Sequence, residues 1–190
     1  MRRKTFDALM TAIGGVLMVT LLMAGGLASW GNSFASGQVH DQLASQKIFF
    51  PPAAAFAHPV VGTEITPSMI PSVSQYAGQQ LLTGAQAQVY ANDFIAVHLN
   101  EIGGGLTYSQ LSEKAMADPT NTALQTQVAT VFKGTMLRGS LLTAYAFSVF
   151  GTIAGIAAIC CYILGGVMLL LTVLGWWHYR RVGDDEVILK

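Results

Sequence analysis

The stretch that decides the fold lies near the carboxyl end of the chain. Residues 139–181 read GSLLTAYAFSVFGTIAGIAAICCYILGGVMLLLTVLGWWHYRR, and the first 41 of them contain no Asp, Glu, Lys or Arg. A transmembrane helix needs about 20 apolar residues to cross about 30 Å of hydrocarbon. The stretch is therefore long enough to span a membrane.

The end of this span is marked by aromatic residues. The sequence WWHY at residues 176–179 is followed at once by two arginines, a pattern typical of a membrane–water interface. As one helix, the uncharged run would extend about 60 Å, or about twice the hydrocarbon thickness. Counting back from the aromatic residues predicts a transmembrane helix over residues 154–179, with residues 139–153 continuing it outside the membrane.

A second uncharged run, residues 8–40, follows three basic residues at positions 2–4. It predicts a first transmembrane helix over residues 8–30, with Trp30 as the aromatic anchor at its far end. The alternative is a cleaved signal peptide, because small residues near Ala28 or Ala35 could form a cleavage site. The apolar stretch is longer than the usual apolar core of a signal peptide, about 7–15 residues, which favours an uncleaved anchor.

The basic residues beside the two spans predict the orientation. Basic clusters flank membrane helices mainly on the cytoplasmic side, so residues 1–7 and the tail 180–190 belong in the cytoplasm. Residues 31–153 then face outward from the plasma membrane of a multi-pass protein. Only 11% of the chain is charged, against roughly 25% in soluble domains, and a net charge of zero provides no basic field for nucleic acid.

The outward segment has helical rather than strand-like periodicity. We expect the first helix to continue past the membrane, and a second helix to cover residues 74–102 until glycines 103–105 end it. Thr107 begins a capping box for a third helix, and Asp118 with the following proline begins a fourth that continues to the last span. We therefore predict an all-α membrane protein whose two transmembrane helices extend into an extracytoplasmic helical bundle.

Residues 49–73 interrupt this pattern, because they hold five of the six prolines. Irregular segments of this length in compact domains are usually functional or disordered. This loop either packs over the bundle or docks on the membrane or on a partner, in which case Phe49, Phe50 and Phe56 would make the contact. The whole outward segment is poor in charge, with ten charged residues in positions 41–138. This composition favours a surface covered by copies of the chain or by another subunit.

Small residues mark a packing surface on the last helix. Gly151 and Gly155 are spaced by four, and Ala154 and Ala158 are offset on a neighbouring face. Small residues at this spacing let helix backbones approach closely in lipid. The spacing alone does not distinguish packing within a chain from packing between subunits.

Residues suited to catalysis or metal binding are scarce. Neither predicted span contains Asp, Glu, Lys or Arg, which argues against a self-contained transporter. The adjacent Cys160 and Cys161 fit small apolar packing residues. His98 and Glu101 have the spacing of a metal-binding pair, but the second Glu-x-x-His motif of di-iron bundles is absent from the sequence. No nucleophile elbow or phosphate loop occurs, so we predict no enzyme activity, cofactor or metal.

Several stretches of the outward segment resemble a family of small actinobacterial two-span membrane proteins with no established activity. The resemblance is carried by YAGQQL from Tyr76, GAQAQVYA from Gly84, HLNEIGGGLTY from His98 and LRGSLLTAYAF from Leu137. It implies location and architecture. Some relatives carry an automatic label of aromatic ring-opening dioxygenase, which the residues here do not support, because such enzymes need a two-His, one-carboxylate iron site.

The sequence therefore predicts a non-enzymatic plasma-membrane protein that contacts membrane lipids. Its role would be that of an oligomerising scaffold or an accessory subunit of a larger membrane or envelope complex. The alternative is a lipid- or quinone-binding module, with Tyr145, Phe147 and Phe150 at the mouth of the site.

Overall fold

The structure is a computed structural model that describes residues 3–183. Of the described residues, 81% are helical, counting the short 3-10 and π-helical turns, and no strand occurs among them, which confirms the all-α class. In chain order the α-helices are α1 (Arg3–Gln46), α2 (Ile70–Val73), α3 (Gly84–Val89), α4 (Ala96–Ile102), α5 (Tyr108–Ala117) and α6 (Thr122–Arg181). The predicted tail lies mostly outside the described residues.

The chain divides into two compact units. Residues up to Phe34 and from Gly151 form the first, here called the paired-helix unit. Ala35–Phe150 form the second, here called the central unit. The long helices α1 and α6 each contribute to both units.

In the paired-helix unit, α1 and α6 run antiparallel along a seam. Thr11 contacts Gly175 and Gly14 contacts Thr172, whereas Asn32, further along α1, contacts Gly155, earlier in α6. Less exposed residues of α1 alternate at steps of three and four: Thr11, Gly14, Met18, Leu21, Gly25, Ala28 and Asn32. This 3.5-residue repeat is that of helices wound left-handed around each other.

Glycines bring the two helices close together at this seam. A Cβ atom on Gly25 would lie 2.9 Å from Cε1 of Tyr162, and one on Gly165 would lie 2.9 Å from Cδ2 of Leu22. Their sequence neighbours Gly26 and Gly166 face open space. One glycine of each Gly-Gly pair therefore belongs to the seam, where the absence of a side chain permits the close approach.

The core of the central unit includes residues of the Pro-rich segment. Phe50 is only 2% exposed, and its ring lies 5.2 Å from the rings of both Tyr76 and Tyr90. Backbone bonds fix the segment, since the Phe50 amide donates to the Gln79 carbonyl at 2.9 Å. The core also holds members of α1, α2 and α6, among them Leu43, Val73 and Leu141. Residues 49–73 are therefore a packed segment with short helical turns at Ala53–Phe56 and Pro67–Met69.

Of three helix starts predicted from the sequence, one is confirmed by the structure and two lie elsewhere. Thr107 caps α5 through a capping box, as predicted. The helix expected from residue 74 begins at Gly84, because Thr83 forms the capping box there and Gly78, at φ 70°, turns the chain before it. The last helix starts at Thr122 rather than beside Asp118, because the Asn121 side chain accepts the Leu124 amide at 3.0 Å.

Candidate functional site: a groove beside a π-helical turn

A widened helical turn distinguishes the central unit. Between α3 and α4, Tyr90–Ile95 form a π-helix, a rare conformation with i→i+5 bonds that is frequent at functional sites. Three rings follow one another at four-residue spacing from the π-helix into α4. The ring centroids of Tyr90 and Phe94 lie 4.8 Å apart, and those of Phe94 and His98 lie 4.6 Å apart.

The second wall of the site comes from α6. Gly134 of α6 sits directly on Leu99 of α4, and a Cβ atom at Gly134 would overlap the Leu99 side chain. The two helices border an open groove of about 460 Å³, within the range of roughly 300–1,000 Å³ for small-molecule sites. Its lining consists of Tyr90, Phe94, Ile95, His98, Leu99, Ile102, Thr130, Lys133, Gly134 and Leu137.

A polar link fixes α6 to the π-helical turn. Arg138 of α6 donates from Nη2 to Oδ1 of Asn92, which lies within the turn, at 2.8 Å. Its Nε is buried without a hydrogen-bond partner in residues 3–183. Because the guanidinium donates in a fixed planar geometry, this bond positions the α6 wall against the turn.

Charge is unevenly distributed around the groove. Lys133 is the charged side chain of the lining, whereas Glu64 and Glu101 line an adjoining cavity of about 600 Å³. His98 lies between them and borders both. The groove lining therefore carries the positive charge of Lys133, and the two carboxylates line the adjoining cavity.

The two titratable rings of the groove provide hydrogen-bonding groups. Nδ1 of His98 lies 2.9 Å from the carbonyl oxygen of Phe94, so the ring donates there and its Nε2 has no partner among residues 3–183. Burial, with the negative charge of Glu64 as a smaller cause, raises the pKa of Tyr90 above its usual value of 10.0. The phenol therefore stays neutral at physiological pH and keeps its O–H as a donor.

The small residues predicted for helix packing lie along α6. Gly155 contacts the Asn32 side chain. A Cβ atom added to Gly155 would lie 3.2 Å from Cγ of Asn32. Gly151 and Ala158 are buried, and Ala154 is half-buried. At Gly155 the structure shows contact within the chain, a distinction that the spacing had left open.

The aromatic residues predicted for docking have different environments. Phe50 is buried in the core and is not available to a partner, because Tyr76 and Tyr90 cover its ring. Phe56 is half-buried against the same core, and Phe49 is 56% exposed. Of the three, Phe49 alone presents most of its surface to a partner.

The residues predicted to contact a lipid or quinone lie on α6. Phe147 and Phe150 are exposed, whereas Tyr145 is half-buried and its backbone lies against Gly84. None of them lines the groove beside the π-helical turn.

The side chains noted for metal or thiol chemistry are not brought together. Within residues 3–183 no group of three or more His, Cys, Asp or Glu could hold a metal ion. Cys160 is exposed and Cys161 is half-buried.

No protein-family model, curated protein or solved structure matches this chain. The resemblance to actinobacterial two-span membrane proteins therefore remains a prediction.

Proposed function

We propose that this chain is an integral plasma-membrane protein, with spans at residues 8–30 and 154–179 and both termini in the cytoplasm. One observation carries the proposal. The most apolar 18-residue windows of α1 and α6 have mean hydropathies of 2.0 and 2.5, yet only 6% and 11% of them are buried. A core helix of a soluble protein would be mostly buried, so these surfaces need a covering of lipid or of other apolar helices.

The distribution of polarity in the paired-helix unit supports this placement. The Ser29 and Tyr162 hydroxyls lie 3.2 Å apart across the seam, and the Thr172 hydroxyl donates to the Met168 carbonyl within α6. The outer faces carry exposed apolar residues such as Met23 and Leu170. Hydroxyls that are hydrogen-bonded within the protein and apolar outer faces are the arrangement that suits hydrocarbon.

The carboxyl end of α6 supports a cytoplasmic interface. Arg180 and Arg181 lie over the rings of Trp176 and Trp177, at 4.1 and 3.7 Å from the ring centroids. Basic and aromatic side chains together anchor helices at the headgroup level. In the proposed topology, residues 31–153 then form an extracytoplasmic helical bundle.

Within the membrane, the chain would act as a non-enzymatic oligomerising scaffold or as an accessory subunit of a larger complex. Exposed apolar residues on the central unit support this role, notably Phe49, Val61 and Met116 at 56%, 75% and 73% exposure. The rings of Tyr108 and Phe132 are also exposed and lie in contact, with centroids 5.2 Å apart. Apolar groups on a surface with so few charges favour protein–protein contact.

Purification of the tagged full-length chain in a mild detergent tests this role. We expect light scattering to give a protein mass above that of one chain, or a second protein to co-purify in fixed ratio. Phe49→Gln should weaken this association, whereas Phe34→Gln, a change at an exposed ring outside the central unit, serves as the control. A monomer without a co-purifying protein would contradict the role.

The second candidate function is a lipid- or quinone-binding module at Tyr145, Phe147 and Phe150. The exposure of Phe147 and Phe150, three residues apart on one helix, favours it. Mass spectrometry of the purified protein should then show a stoichiometric lipid or quinone, which Phe147→Ser with Phe150→Ser removes. Absence of such a species would argue against this alternative.

A further inference from the structure

We propose that the groove between the π-helical turn and α6 binds a free single-chain anionic amphiphile, namely a fatty-acid carboxylate. Lys133 would hold the carboxylate, and the apolar lining would hold the chain. This site lies wholly within the central unit, so the inference does not depend on the proposed membrane topology or on the proposed role in assembly.

The lining of the groove favours an apolar chain. Phe94, Leu99 and Leu137 contribute apolar surface from both walls, and Gly134 lets the two helices meet beneath it. Binding sites for small molecules are mostly apolar, with a few polar groups that orient the ligand. A compact polar anion such as phosphate would leave most of this surface uncovered.

The charges favour an anionic head. No carboxylate forms an ion pair with Lys133 within residues 3–183, and Glu64 and Glu101 line the other cavity. His98 already donates from Nδ1 to the Phe94 carbonyl, which leaves the Lys133 ammonium as the donor for an anionic head. A carboxylate at this end would gain a charge-assisted hydrogen bond from the ammonium group, whereas a cationic head would meet a like charge.

The size of the groove favours one chain. Laurate has fourteen non-hydrogen atoms, which at about 30 Å³ each, the share of one water molecule, need roughly 420 Å³. The groove provides about 460 Å³. A two-chain phospholipid has roughly three times as many atoms and would extend well beyond the groove.

Equilibrium dialysis of radiolabelled laurate against the full-length chain in phosphatidylcholine nanodiscs tests the proposal. Discs without protein correct for partitioning of laurate into lipid. We expect one saturable site per chain, with dodecanol binding about tenfold more weakly because it lacks the charge. Dodecyltrimethylammonium should fail to displace laurate.

Substitutions at Lys133 test whether laurate binds in the groove or elsewhere on the protein. Lys133→Glu should weaken laurate binding about tenfold or more, and Lys133→Arg should retain it within about threefold, because a cation remains. Lys114→Glu is the matched control, since Lys114 is also exposed but does not line the groove. Circular dichroism confirms that each variant keeps its helices.

Three results would overturn the proposal. These are laurate binding no greater than that of empty discs, equal binding by wild type and Lys133→Glu, and a loss of binding when phosphatidylglycerol is added to the discs. The last would show that a membrane phospholipid, rather than a free amphiphile, occupies the groove. None of these results would alter the topology or the oligomeric state measured in the other experiments.

Discussion

Tyr90 links the core of the central unit to the groove. Its ring meets Phe50 edge-on at 5.2 Å on the core side and lies 4.8 Å from Phe94 on the groove side. A change at Tyr90 therefore reports on both packing and the groove.

The raised pKa of Tyr90 predicts a pH-dependent stability. Since its pKa in the folded state exceeds 10.0, the folded protein holds the proton more tightly than the unfolded chain. This contribution to stability is present below pH 10 and is lost as the pH rises through the folded-state pKa. Tyr90→Phe should remove it, so the difference in unfolding free energy between wild type and variant should shrink above pH 10.

Tyrosinate absorbance provides the direct measurement. The difference between the titration curves of wild-type protein and Tyr90→Phe should have its midpoint above pH 10. A midpoint at or below pH 10 would contradict the burial of this phenol.

Gly84 is a position where a single methyl group should be costly. A Cβ atom there would overlap Cβ of Ser148, which is fixed to the backbone and cannot rotate away. Gly84→Ala should therefore destabilise the protein by about 1–3 kcal/mol, seen as a lower midpoint of thermal unfolding followed by circular dichroism.

Gly139→Ala is the matched control in the same unit. Nothing lies within 4 Å of a Cβ atom at Gly139, and the residue is inside α6. Alanine is favoured over glycine inside a helix by about 1 kcal/mol, so this variant should be as stable as wild type or more stable. Equal destabilisation by both changes would show that Gly84 is not in close contact.

At the scale of elements, the two Gly-Gly pairs define the seam between α1 and α6. The seam also brings Thr11 close to Gly175, since an added Cβ on Gly175 would lie 3.8 Å from Cβ of Thr11. This separation is that of a disulfide. In a background with both native cysteines changed to alanine, Thr11→Cys with Gly175→Cys should form a disulfide within one chain on oxidation.

Substitutions in the Gly25–Gly26 pair test whether the missing side chain at the seam is what lets α1 and α6 approach closely. Gly25→Leu places a large side chain against Tyr162 and should slow or abolish this disulfide, whereas Gly26→Leu faces open space and should not. Non-reducing electrophoresis after cleavage at a protease site introduced between the helices measures the cross-link. Disulfides found only between chains, or equal effects of the two leucine variants, would contradict the seam.

Local signals explain which helix ends could be predicted from sequence. Thr107 and the glycines at 103–105 act on their own neighbours, so the start of α5 and the end of α4 follow from the sequence. The start of the preceding helix does not, because residues 74–83 are held by a distant partner through the bridge between Phe49 and Gln80. Asn121 replaces Asp118 as the cap, since the Asp118 side chain instead accepts from Asn121 and Thr120.

At the scale of the whole molecule, hydropathy predicts the two long apolar helices, and tertiary packing determines the groove. The π-helical turn and Lys133 are about 40 residues apart, and no sequence pattern indicates that α6 lies against α4. The contact depends on Gly134 meeting Leu99, a long-range match that periodicity cannot reveal. The sequence alone therefore predicted ligand contacts at Tyr145, Phe147 and Phe150. It did not reveal that His98 lines a groove together with residues of α6.

The proposed topology places Met116 and Thr5 on opposite sides of the membrane. Met116 lies on α5 and is 73% exposed, and Thr5 is exposed near the start of α1. Each can therefore carry a single cysteine after Cys160→Ala and Cys161→Ala, the two cysteines of the chain.

Labelling of these two variants with a membrane-impermeant maleimide in intact cells tests the topology most directly. Met116→Cys should react in intact cells, and Thr5→Cys should react only after the membrane is permeabilised. Protection of Met116→Cys, or reaction of Thr5→Cys in intact cells, would contradict a two-span protein with cytoplasmic termini and an outward central unit.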